Sequence, residues 1–201
     1  MNELYNELFE IGCIKFGEFK LKSGIMSPVY VDFRGLISHP NILRKVAQTM
    51  VERLKKLQFD RVAGIPYAGL PIGVAVSLEG NLPMIYPRKE AKEYGTGKLI
   101  EGRFEPGETV VVLDDVITDG GSKIEAIEPL TAAGLKVQDV LIILDREQGG
   151  AAILAEHGLR LHSLMTLSGA LEALSAAGKI EPAMVEKVKA FIAEHQFASK
   201  R

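Results

Sequence analysis

The sequence predicts an α/β protein: a central, mostly parallel β-sheet flanked by helices, preceded by an N-terminal piece of more antiparallel character. Three observations carry this reading. Strand-like and helix-like segments alternate along the chain. Several strand segments are apolar throughout, such as VVVL at 110–113 and VLIIL at 140–144, as strands covered on both faces require. The stretch IKFGEFKLKSG, in contrast, alternates and then breaks at Gly24.

Taken in order, Leu4, Leu8 and Ile11 fall at helical spacing over residues 2–12, and PVYVDFRG has strand composition. Residues 40–57 place apolar side chains three and four apart behind Pro40, which predicts a helix. RVAGI reads as a short strand, LPIGVAVSLEG as a helix closing on Gly80, and LPMIY as a strand. Residues 87–108 are polar, charged and punctuated by glycine, with little periodicity. Beyond them come the strand TVVVLDD, a helix over about 121–133, the strand VQDVLIILDRE, the helix AAILAEHG and the strand LRLHSLMTL. A helix over SGALEALSAAG, with Ser168 as its expected cap, precedes a last helix over 181–196. No repeat or linker interrupts the pattern, so we expect one domain over 1–201, with a distinct N-terminal segment over about 1–35 and a long polar loop over about 87–103.

At 47% apolar and 25% charged residues, the chain can bury a substantial core without covalent help. Its net charge of −2 argues against a partner such as nucleic acid, which calls for a basic excess, but leaves a small anionic ligand open. Cys13 is the only cysteine, so no intramolecular disulfide or thiolate cluster can form, which fits a cytoplasmic location. The opening MNELYNELFEIG is amphipathic and acidic, unlike a leader peptide, and no apolar run approaches the ~20 residues that span a bilayer. No membrane partner is expected. His157 and His162 are expected to be structural; His39 and His195 are expected at the surface.

The segment VVVLDDVITDGGSK, 110–123, concentrates the chemistry. Ligands of open parallel sheets bind beyond the carboxyl ends of the strands. An apolar strand ending on Asp114 and Asp115 puts two hydrogen-bond acceptors there. Thr118, Asp119, Gly120, Gly121 and Ser122 then turn into a helix, with small residues that leave backbone N–H groups open to an anion. Acceptors for sugar hydroxyls beside amides for a phosphate suit a ribose 5-phosphate. A pair of acids that caps a helix or binds a metal is the competing reading.

VVVLDDVITDGGS resembles the phosphoribosyl pyrophosphate (PRPP) motif of the type I phosphoribosyltransferases. The resemblance implies that fold, and it implies that Asp114 and Asp115 grip the ribose while Val116, Ile117, Thr118, Asp119, Gly120, Gly121 and Ser122 surround the 5′-phosphate. Asp119 stands where these enzymes often have a small residue. YPRKEAKEYGTGKLIEG, read alone a mixed-charge surface loop, is similar to the mobile loop of orotate phosphoribosyltransferases, which serves the neighbouring subunit's site. This implies PRPP contacts for Arg88, Lys89 and Lys92, with Lys92 catalytic, and for Tyr94, which replaces a common histidine. GIPYAGLP, 64–71, resembles the pyrophosphate loop of the family, which often contains a cis peptide bond. It implies a role for Tyr67 and has Ala68 where bacterial relatives often carry lysine.

LKSGIMSPVYVDFR resembles the N-terminal hood of the same family, implying that Lys22 reaches orotate and that Tyr30 and Val31 cover the base. LDREQGG implies that Arg146, with Thr118, recognises orotate; an arginine forks onto a planar carboxylate or imide edge through two parallel hydrogen bonds. The likeness extends over about residues 4–196, towards the phosphoribosyltransferase half of UMP synthase. It implies orotate phosphoribosyl transfer in pyrimidine biosynthesis, a homodimer with the loop shared in trans, and Mg²⁺ held by PRPP and water rather than directly by protein. Two alternatives remain at this point: a purine phosphoribosyltransferase on the same scaffold, and a non-catalytic nucleotide sensor.

Overall fold

The structure, a computed structural model, describes residues 2–21, 24–89 and 99–198. In chain order the elements are α1 (Asn2–Glu10), β1 (Ile14–Lys20), β2 (Met26–Val31), a 3-10 turn (Arg34–Ser38), α2 (Pro40–Leu54), β3 (Arg61–Gly64), α3 (Gly69–Gly80), β4 (Met84–Pro87) and β5 (Ile100–Glu101). There follow β6 (Thr109–Ile117), α4 (Gly121–Ala132), β7 (Lys136–Asp145), α5 (Gly150–Glu156), β8 (Arg160–Thr166), α6 (Leu167–Ala176) and α7 (Pro182–Glu194).

The continuous apolar strands are explained by two cores, one on each side of the sheet. Successive side chains on a strand leave on opposite faces. Val111 and Leu113 of β6, with Leu141 and Ile143 of β7, join residues of α1, α2, α3, α6 and α7 in one core. Val110 and Val112, with Val140 and Ile142, meet Ile127 and Leu130 of α4 and Leu154 of α5 in the other. Each fully buried Val, Leu or Ile contributes roughly 1.5–3 kcal/mol, so neither face of the central strands could be polar without loss.

The sheet runs β5-β4-β3-β6-β7-β8. β4, β3, β6, β7 and β8 are parallel, and β5 closes one edge antiparallel to β4. The chain builds outward from β3 to β4, then crosses to the other side of β3 and continues with β6, β7 and β8. The strand order therefore reverses between β3 and β6. A separate antiparallel hairpin, β1 with β2, supplies the expected N-terminal sheet. α1 docks on the start of α6, where the Tyr5 hydroxyl accepts the Thr166 amide at 3.2 Å. Among the described residues no helix is long and apolar enough to cross a membrane.

The structure corrects several sequence expectations. β5 lies in a stretch that reads as featureless loop, since two residues carry no period. β6 does not stop at Asp115 but pairs with β7 through Ile117, opposite Asp145. Ser168 does not cap α6. Thr166 does, its hydroxyl accepting the Gly169 amide at 3.0 Å. His195, expected at the surface, is half-buried and stacked on Phe191 at 4.2 Å between ring centres.

Candidate active site at the strand-order reversal

The loop after β3 and the acids of β6 face each other where the strand order reverses, the place where open α/β sheets bind ligands. They line a cavity of about 460 Å³, whose walls include Tyr67, Arg88, Lys89, Asp114, Asp115 and Ser122. Larger hollows of about 790 and 550 Å³ lie elsewhere, one between α1 and α2, the other beside Phe104 and Pro129, and neither gathers paired acids with cations at strand ends.

The loop comes close to β6 because of Gly69. A Cβ at this position would sit 2.7 Å from the Leu113 carbonyl and 3.1 Å from Oδ1 of Asp114. Only glycine lets the start of α3 lie against the acidic strand. The Pro66–Tyr67 peptide bond is cis, as the family likeness implied for this loop.

The two acids are not equivalent. Asp114 is buried, and its Oδ2 lies 2.6 Å from Nζ of Lys123, itself buried in the first turn of α4. Asp115 is more open, and its Oδ1 accepts the Val116 amide at 2.7 Å. Burial, then the adjacent Asp114 charge, pushes the Asp115 carboxyl up from 3.8 to about 7, against the opposing pull of Lys123. The site thus holds one compensated carboxylate and one poised near neutrality.

The Val116 side chain packs on one core and Ile117 is fully buried in the other. Because β6 continues past the acids, these two residues can offer a ligand only their backbone. The turn expected to cradle a phosphate follows. Gly120, with φ of 84°, precedes the first residue of α4. The Asp119 carboxylate folds back to accept the Gly121 amide at 3.1 Å, so one amide of the cradle is engaged by the chain itself. Ser122 and Asp119 are exposed, and Thr118 is half-buried.

On the basic side, Arg88 Nη1 lies 2.9 Å from Glu101 of β5, and the Arg88 amide donates to the Leu99 carbonyl at 2.8 Å. Nζ of Lys89 stands 4.4 Å over the Tyr67 ring, a cation–π contact that places ammonium and phenol on one rim. Ala68, where bacterial relatives often carry lysine, also lines the cavity.

Arg146 lies one strand over, at the end of β7, and does not line this cavity. Its amide donates to the Ile117 carbonyl at 3.1 Å. The side chain is buried, yet Nε and Nη2 have no hydrogen-bond partner among the described residues. Burial lowers the pKa of the guanidinium. Tyr30 is linked to the cavity through Arg34, whose Nη2 donates to the Tyr30 hydroxyl at 3.3 Å. Val31 packs on the first core rather than in the cavity. Lys22, Lys92 and Tyr94 lie outside the described residues.

Sequence reasoning missed Arg34 and Lys123. Arg34 lines the cavity while its fork grips Asp32 at 2.8 and 2.6 Å; that hydrogen bonding holds Asp32 down at about 2. Lys123 left a legible signal. A cation in the first turn of a helix opposes the helix dipole, so its presence calls for an acidic partner. Cys13 is a buried free thiol, pushed up to about 11 by burial.

Residues 36–156 match the phosphoribosyl transferase domain family. The chain is 44% identical over 201 residues to bovine (Bos taurus) uridine 5′-monophosphate synthase, matching 99% of this chain and 42% of that protein. It is 41% identical over 194 residues to an orotate phosphoribosyltransferase of Caenorhabditis elegans, covering 96% of this chain and 86% of that one. The solved structure of Leishmania donovani UMP synthase superposes with a TM-score of 0.89 at 40% identity, over 96% of this chain and 42% of that one. The chain spans less than half the length of the two synthases it matches and most of the single-activity enzyme. Paired acids beside a glycine turn at a strand-order reversal, together with this degree of likeness, show that the chain belongs to the orotate phosphoribosyltransferase family, within the phosphoribosyl transferase domain family.

Proposed function

We propose that this chain transfers ribose 5-phosphate from PRPP to N1 of orotate, releasing pyrophosphate and orotidine 5′-monophosphate. The observation that carries the reading is the convergence of Asp114 and Asp115 with Tyr67, Arg88 and Lys89 on one cavity. The acids accept hydrogen bonds from the ribose hydroxyls and offset the positive charge that develops at C1 as pyrophosphate departs. The Lys123 ammonium pairs with Asp114 and holds it in place. Asp115 grips the sugar best once ionised, so its share grows as the pH rises through about 7.

Amides of residues 118–122 hold the 5′-phosphate, the Asp119 carboxylate swinging off Gly121 to admit it. Arg88, Lys89 and Tyr67 face the pyrophosphate, and Lys92 adds the lid cation implied by the sequence. Arg146 reads the carboxylate and imide edge of orotate, with Thr118 beside it. Its buried N–H groups, without a partner among the described residues, support this, because a buried donor is costly until a ligand accepts from it. No covalent nucleophile is required; positioning and electrostatics supply the rate.

Mg²⁺ fits this site as an ion carried by PRPP, held mainly by PRPP oxygens and water because it dehydrates reluctantly, with the carboxylates of Asp114 and Asp115 lining the same cavity. The ion would arrive with PRPP, near Asp115, and neutralise pyrophosphate charge. We also propose a homodimer. Val74 and Leu78 on α3 are exposed, four residues apart on one helix face, and with Met84 and Tyr86 line an apolar groove suited to a second copy.

Incubation with PRPP, Mg²⁺ and a panel of bases tests the reading. Orotate should be consumed and adenine, guanine and hypoxanthine should not; turnover of a purine without orotate would overturn it. A mixture of Lys92→Ala and Asp115→Asn chains should regain activity that neither shows alone if the loop acts in trans. Absence of recovery despite proven subunit exchange would rule out that arrangement.

A further inference from the structure

We infer that the segment following α7, residues 195–198, is a strap that positions Arg146 for its substrate, acting through Glu147 and Gln148. The inference rests on the reading of Arg146 as the group that takes the acidic base. Two nitrogens of that guanidinium, Nε and Nη2, have no partner among the described residues, so no acceptor among those residues orients them. The aim of the fork must come from the backbone beneath it. On one side that backbone is fixed by the Arg146 amide on the Ile117 carbonyl.

On the other side the restraint comes from Glu147, which takes a φ of 59°, in the left-handed region that favours glycine. Such a conformation persists only when its surroundings over-determine it. Here they do. The Glu147 amide donates to Asp145 Oδ1 at 2.7 Å. Its carboxylate accepts the Ser168 amide, in the first turn of α6, at 2.6 Å. Its carbonyl accepts from Gln196 Nε2 at 2.9 Å. The next residue is tied to the same segment twice: the Phe197 amide donates to the Gln148 carbonyl at 2.9 Å, and Gln148 Nε2 donates to the His195 carbonyl at 3.0 Å. Gly149 lies so close beneath the strap that a methyl group there would run into the Phe197 carbonyl. Gln148 is buried by these contacts. Residues 195–198 therefore hold the loop that aims Arg146, although they are separated from it by about fifty positions. Glu147 and Gln196 are positioning residues.

The test is steady-state kinetics on two altered chains, Gln196→Ala and a chain ended after Glu194, with thermal unfolding alongside. Gln196→Ala should raise KM for orotate about fivefold or more, leaving KM for PRPP and kcat within about twofold, and the shortened chain should lose more in the same parameter. In an Arg146→Ala background, Gln196→Ala should cost nothing further in kcat/KM for orotate, because the residue it acts through is gone. Equal losses for both substrates that follow the fall in Tm, or additive losses in the double variant, would reduce the strap to a stabilising clasp and overturn the inference. If Arg146→Ala alone left KM for orotate unchanged, the reading of Arg146 would fall and the strap's function with it. If Arg146→Ala raised KM and neither strap variant did, only the strap would fail.

Discussion

Replacing Asp115 by asparagine should change how stability depends on pH. In the folded chain the Asp115 carboxyl is raised from 3.8 to about 7 by burial and by the Asp114 charge. The folded state therefore binds this proton more tightly than the unfolded chain does. Its contribution to stability is complete below about pH 4 and is lost as pH rises through about 7. At ~1.4 kcal/mol per pH unit, the part lost between pH 5 and 8 is about 3 kcal/mol. Asparagine has nearly the same shape and no proton to lose. The difference in unfolding free energy, variant minus wild type, should thus grow by about 3 kcal/mol from pH 5 to 8, whatever its value at pH 5. Urea unfolding at half-unit pH steps measures this directly. Taking the difference cancels the titration of groups that do not interact with Asp115 and any fixed cost of losing the Val116 hydrogen bond. A difference that stays flat within about 0.5 kcal/mol across that range would refute the reasoning, since Asp115 would then be as free in the fold as in the unfolded chain.

Arg146→Met should trade stability against function: two buried donors without a partner among the described residues are removed, so the ligand-free chain should gain about 1–3 kcal/mol in urea unfolding while kcat/KM for orotate collapses. A less stable variant would mean that the guanidinium is satisfied in solution. Lys123→Met should cost about 3–5 kcal/mol by leaving Asp114 buried and unpaired, and adding Asp114→Asn should restore much of it; a double variant no better than the single would show that the pair is not coupled.

The sequence made the central layers legible because burial on both faces leaves a signature that needs no context. VVVL and VLIIL can serve in few places other than a covered sheet. The acidic pair and the glycine turn were legible for the same reason, since charge at the end of an apolar strand has few uses. What stayed hidden depends on neighbours distant in sequence. β5 exists because Ile100 finds Pro87, not because two residues have a preference. The extension of β6 through Ile117 is imposed by pairing with Leu144 and Asp145 of β7, against the local suggestion of a strand that stops on its acids. Ser168 and Thr166 are equally good caps by composition. The helix starts at Leu167, which leaves Thr166 in the cap position, while the Ser168 amide inside the first turn is taken by Glu147, a residue twenty-one positions earlier.

Lys123 and Arg146 show why charge alone could not be assigned a role from sequence. Both are cations buried near the carboxyl edge of the sheet, and burying a cation is costly in either place. For Lys123 the chain supplies the counter-charge itself, at Asp114, and the result is a fixed part of the wall. For Arg146 two donors are left without a partner among the described residues, and the loop beneath is tied down in an uncommon backbone conformation. The first arrangement is complete without substrate. The second would be stabilised by an arriving acceptor, so the same physical penalty that makes Lys123 structural suits Arg146 to its proposed role of receiving a planar anion. Telling them apart required knowing where each partner sits, which is a property of the fold and not of either residue's neighbours in the sequence.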